Sequence, residues 1–227
     1  MVKQDRAFRT RQSILAAAAK VFEVRGYQAA TITEILTTAG VTKGALYFHF
    51  QSKEHLAEGV LAEQDQRLGI PSRTCKVQEI VDTVALHAYR LQTDPMVRAG
   101  VRLSLDQQAT DLDRSGPFLR WSEVIRAFLD EAKAQGELLP HVVTSETADV
   151  LVGSFAGVQA MSQIISGYQD LGHRSSELLR HLLPNVVLSS VLATLDLSRD
   201  RGAVVFAEVR GPSAELELAA TTAKGGR

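Results

Sequence analysis

Apolar residues in this 227-residue chain recur with the period of an α-helix along most of its length. Over residues 9–25, Ile14, Leu15, Ala18, Val21 and Phe22 fall on one face of an amphipathic helix, and Gly26 follows where a left-handed terminal residue is wanted. Thr31, Ile32, Thr33 and Glu34 have the spacing of a capping box, and Ile32, Ile35, Leu36 and Ala39 continue an apolar face up to Gly40. Thr42 can cap a third helix from Lys43 to about Phe48. Helices two and three are then separated by a tight Ala39-Gly40-Val41 turn, which is helix-turn-helix geometry.

The remainder repeats the pattern at greater length. Ser52 can cap a fourth helix carrying Leu56, Val60 and Leu61 towards Leu68, which runs from this head into the body before Gly69 and Pro71 break it. Val77, Ile80, Val81, Val84, Ala85, Ala88 and Leu91 predict a fifth helix ended by Asp94-Pro95, and residues 96–107 a shorter one. Residues 108–116 read as a loop. Pro117 opens a strongly amphipathic helix with Phe118, Trp121, Ile125, Phe128, Leu129 and Ala132, closed by Gly136. Two long helices follow, from about Ser145 to Leu171 and from about Ser175 to Leu195, the second kinked or divided by Pro184. Neither 150–165 nor 182–195 contains a charged residue, so both helices should be buried on more than one side. A homodimer interface built from this pair, with Gly153 and Gly157 allowing close backbone approach, explains that economically; a monomer core is the alternative. From Ser198 the composition predicts a disordered tail, with Ala203–Val209 readable as a short strand that has no partner. The fold class is all-α, divided as a helix-turn-helix head (1–53), a helical ligand-binding and dimerisation domain (54–197) and the tail (198–227).

Composition narrows the function. With 45% hydrophobic and 22% charged residues the chain reads as a soluble globular protein. No apolar run approaches the roughly 18 residues of a membrane span, and the opening MVKQDRAFRTRQ is charged where a secretory signal would turn apolar, so a cytoplasmic location and no membrane partner are expected. Cys75, the one cysteine, excludes an intramolecular disulfide and any multi-cysteine metal site, and reads as a half-buried small residue. The net charge of −1 conceals an asymmetry: residues 1–53 carry +5 and the rest −6, so the N-terminus is suited to a polyanion. An enzyme is disfavoured. The six histidines (His49, His55, His87, His141, His173 and His181) show no metal-ligand spacing and read as surface or internally satisfied side chains; there is no nucleophile elbow or phosphate-cradling glycine loop, and neither metal nor cofactor is expected.

The chemistry concentrates in Thr42-Lys43-Gly44-Ala45-Leu46-Tyr47-Phe48-His49-Phe50. Gly44 and Ala45 are weak helix investments unless something approaches closely, and a DNA edge in the major groove does so. Lys43 can reach a guanine edge or phosphate, Thr42 and Tyr47 can donate to phosphates, and His49 and Lys53 extend that face. Phe48 and Phe50 are expected to pack inward.

Gly26-Tyr27-Gln28-Ala29-Ala30-Thr31-Ile32, Ile35, Ala39 through Phe50, and Ser52-Lys53-Glu54 closely resemble the DNA-binding domain of the tetracycline-repressor (TetR) family. Leu36, where many members have alanine, is a conservative departure. The resemblance implies DNA contacts by Thr31, Thr33, Thr42, Lys43, Gly44, Ala45, Tyr47, His49 and Lys53. Thr42 through Phe50, Val101 through Gln107 and the single Trp121 after Pro117 are also similar to the γ-butyrolactone receptors of actinobacteria. That implies a homodimeric repressor on a palindromic double-stranded DNA operator, released by a small lactone or butenolide signal that controls antibiotic production. It further implies a ligand pocket with Trp121 on its wall and Gln64 and Leu86 beside it. Phe118, Phe155, Val158, Gln159 and Ser162 supply the apolar and hydrogen-bonding groups such a ligand needs. A multidrug or antibiotic sensor of the same family, not binding lactones, is the second reading, and a helical adaptor without DNA binding a third.

Overall fold

The computed structural model describes residues 2–65, 69–106, 109, 112 and 114–211, and side chains within them except those of 2–5, 64 and 65. Among the described residues the structure is helical, without strands beyond an isolated bridge between Leu138 and Val187. The all-α class is as expected.

Contacts divide the chain into two compact units, one of residues 1–68 with 93–120 and one of 69–92 with 121–227. These units are discontinuous where the expected division into 1–53, 54–197 and 198–227 is contiguous, because packing partners are recruited from distant sequence. The first unit holds α1 (Val2–Ala29), α2 (Ile32–Ala39), α3 (Lys43–His49), α4 (Lys53–Asp65) and α6 (Pro95–Leu105). Its core is Ile14, Leu15, Ala18 and Phe22 of α1 packed with Ile35, Leu46, Phe50, Leu56, Val60 and Leu103. α1 breaks at Gly26, whose φ of 75° and ψ of 176° few side-chain-bearing residues adopt. α6 grips that break: Arg98 pairs with Glu23, Arg102 donates to the Glu23 carbonyl, and Asp106 accepts from the Tyr27 amide. Arg102 and Asp106 of the Val101–Gln107 stretch, with Arg98 before them, thus clamp the end of α1; Gln107 lies outside the described residues.

The second unit holds α5 (Lys76–Thr93), α7 (Ser115–Ala134) from Trp121 onward, α8 (Thr144–Ser166), α9 (Leu171–Leu182), α10 (Ser189–Leu192) and α11 (Arg201–Arg210). α8 stops five residues earlier than the periodicity predicts, since Gly167 turns left-handed at φ 59° and satisfies the last carbonyls. Pro184 divides the next helix through a 3₁₀ turn over Leu183–Asn185.

The tail corrects a prediction. Residues 201–210 form neither a strand nor a disordered segment but a helix, α11, and tertiary contacts hold it. Arg201 and Arg73 both bind the fully buried Asp82 carboxylate at 2.8 Å, Arg73 also reaches Glu208, and the Tyr89 and Phe206 rings lie 5.0 Å apart. Gly202 lies so close to α5 that a Cβ there would fall 2.2 Å from the Ala85 carbonyl oxygen. Residues beyond 211 and most of the predicted 108–116 loop lie outside the described set.

Candidate DNA-reading and ligand-binding sites

The helix-turn-helix is assembled by local rules. Thr31 caps α2 through the full capping box: its Oγ accepts from the Glu34 amide and its own amide donates to the Glu34 carboxylate. Those bonds, the Thr31 hydroxyl first, hold the Glu34 carboxyl below its ordinary range. Gly40, at φ 64°, ends α2, and Thr42 caps α3 by accepting from the Ala45 amide at 3.3 Å.

This leaves one edge of α2 and α3 open. Thr31, Thr33, Thr42, Lys43 and Gly44 are exposed, Ala45 and His49 half-exposed, and a Cβ on Gly44 would meet nothing within 4 Å. Nothing inside the molecule requires glycine there, so the space it leaves faces outward. Lys43 extends over the Tyr47 ring with its ammonium 5.9 Å from the centroid, and Tyr47 is itself exposed. Phe50 is buried as expected, but Phe48 is 78% exposed and stacks edge-on with His49 at 5.0 Å. The correction follows from the shortness of α3: Leu46 and Phe50, four residues apart, already occupy its inward side.

Lys53 has another role than the expected one. Its ammonium donates to the carbonyl oxygens of Tyr27, Gln28 and Ala30 at 2.9, 3.3 and 3.2 Å, over the Tyr27 ring at 4.6 Å. It thereby ties together the carbonyls of the chain as it leaves α1, and its ammonium is committed inside the unit.

In the second unit α8 buries a stripe of Ala148, Leu151, Phe155, Gln159 and Ser162, one residue per turn. Towards it α5 presents His87, whose imidazole lies 4.9 Å from the Trp121 ring and 5.6 Å from the Phe155 ring. Burial, helped by the charge of Arg90, holds the His87 imidazole at a pKa of about 3, so it is neutral. Two buried atoms here have no hydrogen-bond partner: His87 Nδ1 and Gln159 Oε1, in residues only 9% and 5% exposed. Such orphans are costly in a finished core. His87 was not among the expected pocket residues, and it corrects the reading of all six histidines as surface or satisfied. Its signal was its register, since it falls on the apolar stripe of Ile80, Val84 and Leu91.

The other expected pocket residues scatter. Leu86 is buried and Val158 half-buried in the second unit, whereas Phe118 belongs to the first. Ser162 donates its proton to Asp170 at 2.6 Å, a bond that with that of Ser166 draws the Asp170 carboxyl down to about 2. The Gln64 side chain lies outside the described residues. Cys75 is half-buried beside Glu137, at 3.4 Å. No cluster of metal-ligating side chains occurs among the described residues.

The opposite side of α8 is bare. Val150, Met161, Ile164 and Ile165 are exposed, Ile164 by 84%, and Gly153 and Gly157 lie exposed with open space where a Cβ would sit. The charge-free stretch is therefore buried on one side of this chain, not two. By length and hydropathy α8 is also long and apolar enough to cross a membrane.

The capped helix-turn-helix, with its exposed Lys43 and Gly44 at the start of α3, is the architecture of a DNA-binding regulator. Residues 14–60 match the model for bacterial regulatory proteins of the tetR family. The chain is 37% identical over 217 residues to the A-factor receptor protein of Streptomyces griseus, covering 96% of this chain and 77% of that one. It belongs to the TetR family and is a TetR-type transcriptional repressor, a class of DNA-binding rather than enzymatic proteins. Full-length native TylP, a TetR regulator from Streptomyces fradiae, is similar at 43% identity and a TM-score of 0.83, covering 90% of this chain and 99% of that chain. A γ-butyrolactone receptor described as ArpA-like is similar at 29% identity and a TM-score of 0.64, covering 90% and 98%.

Proposed function

We propose that this protein is a cytoplasmic homodimeric repressor that leaves a palindromic operator on binding a small diffusible lactone or butenolide, and so controls secondary metabolism such as antibiotic production. The observation that carries the ligand reading is the aromatic wall of Trp121 and Phe155 around the neutral His87, an uncharged apolar surface of the kind a small lactone fits. Similarity to the A-factor receptor and to a γ-butyrolactone receptor supports it. The bare apolar side of α8, with Gly153 and Gly157 open, supports pairing with a second copy.

In this reading residues 1–53 read DNA. Lys43 contacts a guanine edge or phosphate, Gly44 and Ala45 admit the groove edge, Thr42 and Tyr47 bind phosphates, and Thr31, Thr33 and His49 flank them. Two such heads related by a two-fold read half-sites about 34–36 Å apart, or the equivalent on distorted DNA. Ligand and operator affinities then oppose each other through a coupling of about 1–3 kcal/mol.

A gel-shift titration against DNA upstream of the protein's own gene, at stated salt, with and without an extract of a lactone-producing culture, tests this. A specific shift abolished by the extract is the expected result. A shift indifferent to the extract contradicts the lactone reading in favour of an antibiotic sensor, and no specific shift contradicts the operator reading.

A further inference from the structure

A cavity of about 550 Å³ lies wholly within the second unit, on the opposite side of α5 from His87. Val81, Ala85, Tyr89 and Gln92 recur every three or four residues and form one wall; His87, two residues from both Ala85 and Tyr89, leaves the helix from the other side. Leu179 of α9 and Leu197 form a second wall, and residues 198–203, which lead into α11, form the third. The volume is within the range of small-molecule pockets.

What the walls leave unsatisfied decides what fits. Ser175 and Ser176 donate to the Leu171 and Leu197 carbonyls, and the Gln92 amide nitrogen donates to those of Tyr168 and Gln169. The Asp170 carboxylate is held by Ser162, Ser166 and Arg174. With these groups engaged, Val81, Ala85, Leu179, Leu197 and the Tyr89 ring offer a surface suited to an apolar body.

The edge where α9 and α11 begin is different. A Cβ on Gly172 would fall 2.8 Å from the Arg199 carbonyl oxygen, so the Arg199 backbone lies against the first turn of α9, next to His173. The exposed side chains of Arg199 and His173 both line the cavity and make no hydrogen bond or ion pair among the described residues. Asp200 adds a carboxylate to this edge, but Arg199, the His173 N–H and the positive N-terminal ends of α9 and α11 outweigh it. A carboxylate can accept from both Arg199 and His173, whereas an alcohol leaves the guanidinium charge unmet and an ammonium meets donors.

We infer that this cavity is a ligand site of its own, taking a small molecule with an apolar chain and a terminal carboxylate. The chain lies between α5 and α9, and the carboxylate sits at Arg199 and His173. The site is separate from the cluster of Trp121, His87 and Phe155, and it rests on neither the lactone nor the operator reading. Because residues 197–203 wall it, occupancy also holds the start of α11 in place.

Sodium decanoate is the probe. Equilibrium dialysis of the radiolabelled compound against the full-length protein is expected to show one saturable site per chain. Unlabelled 1-decanol should displace it about three- to fivefold less well than decanoate does, and decylammonium less well still. Arg199→Ala should weaken decanoate about three- to fivefold and bring decanol level with it. Ala203→Phe, at an exposed position on the lining, fills the cavity and should weaken decanoate about tenfold or more. In wild type, decanoate should slow hydrogen exchange in the first turns of α9 and α11. If Ala203→Phe loses helical circular dichroism, Arg199→Ala carries the comparison.

Absence of saturable decanoate binding overturns the assignment, as does binding that survives both substitutions unchanged. Displacement by decylammonium as effective as by decanoate also overturns it. Binding lost in Trp121→Ala but kept in Ala203→Phe puts the chain beside Trp121 instead, and overturns it as well.

Discussion

The two compact units treat their polar groups in opposite ways. In the first, interior polar groups are closed off: Lys53 supplies three carbonyls, Arg98 and Arg102 bind around Glu23, and Thr31 and Thr42 cap their helices. Lys43, by contrast, is exposed beside an exposed Gly44. In the second unit the unmet groups are inside, at His87 and Gln159, and the exposed side of α8 is apolar. A surface that reads a duplex from outside needs a rigid, internally satisfied support, whereas a sensor needs an interior that something else completes.

That contrast can be broken experimentally. Lys43→Ala has the largest expected effect, weakening operator binding by about 1–3 kcal/mol, roughly ten- to hundredfold, with the thermal midpoint unchanged. A gel-shift titration beside a thermal melt checks both parts. Lys53→Met should do the reverse and act on stability first, lowering that of the first unit by about 2 kcal/mol because three carbonyls lose a charged donor. A melt indistinguishable from wild type would return Lys53 to the DNA surface.

The attachment of α11 should depend on acid. Burial pushes the Asp82 carboxyl up, but hydrogen bonds from Arg201, Gln78 and Arg73 outweigh it and hold it below the usual carboxylate range. A carboxyl depressed in the folded state stabilises above its unfolded pKa, and that contribution is lost as pH falls through the lowered folded value. Asp82→Asn should flatten the acid limb of the stability curve, and protection of α11 amides from hydrogen exchange should fall with it. Thr31→Ala has the smallest expected effect, about 1 kcal/mol from the α2 cap, read as a small drop in melting temperature.

How much was legible in the sequence follows from the range of the forces involved. α1 to α4 were readable because apolar period, threonine caps and terminal glycines act within a few residues, and the open edge of α3 was visible in Gly44 and Ala45. The commitment of Lys53 was not, since its carbonyl partners lie 23 to 26 residues away. α11 was misread for the same reason at longer range: its ordering contact from Arg201 to Asp82 spans 119 residues. Phe48 was misassigned because aromatic character was taken for burial on a helix too short to bury every ring. His87 was half legible, by its place on an apolar stripe but not by its lack of a partner, which only the packed neighbours reveal.

The account turns on the claim that DNA reading and signal recognition are separable, one on the surface around Lys43 and the other in the interior around Trp121. The most direct test is release of operator DNA by the culture extract from wild type and from Trp121→Ala, followed by gel shift at one salt concentration. The variant should bind operator as wild type does and remain bound when extract is added. Extract-induced release from Trp121→Ala equal to that from wild type would contradict the central claim.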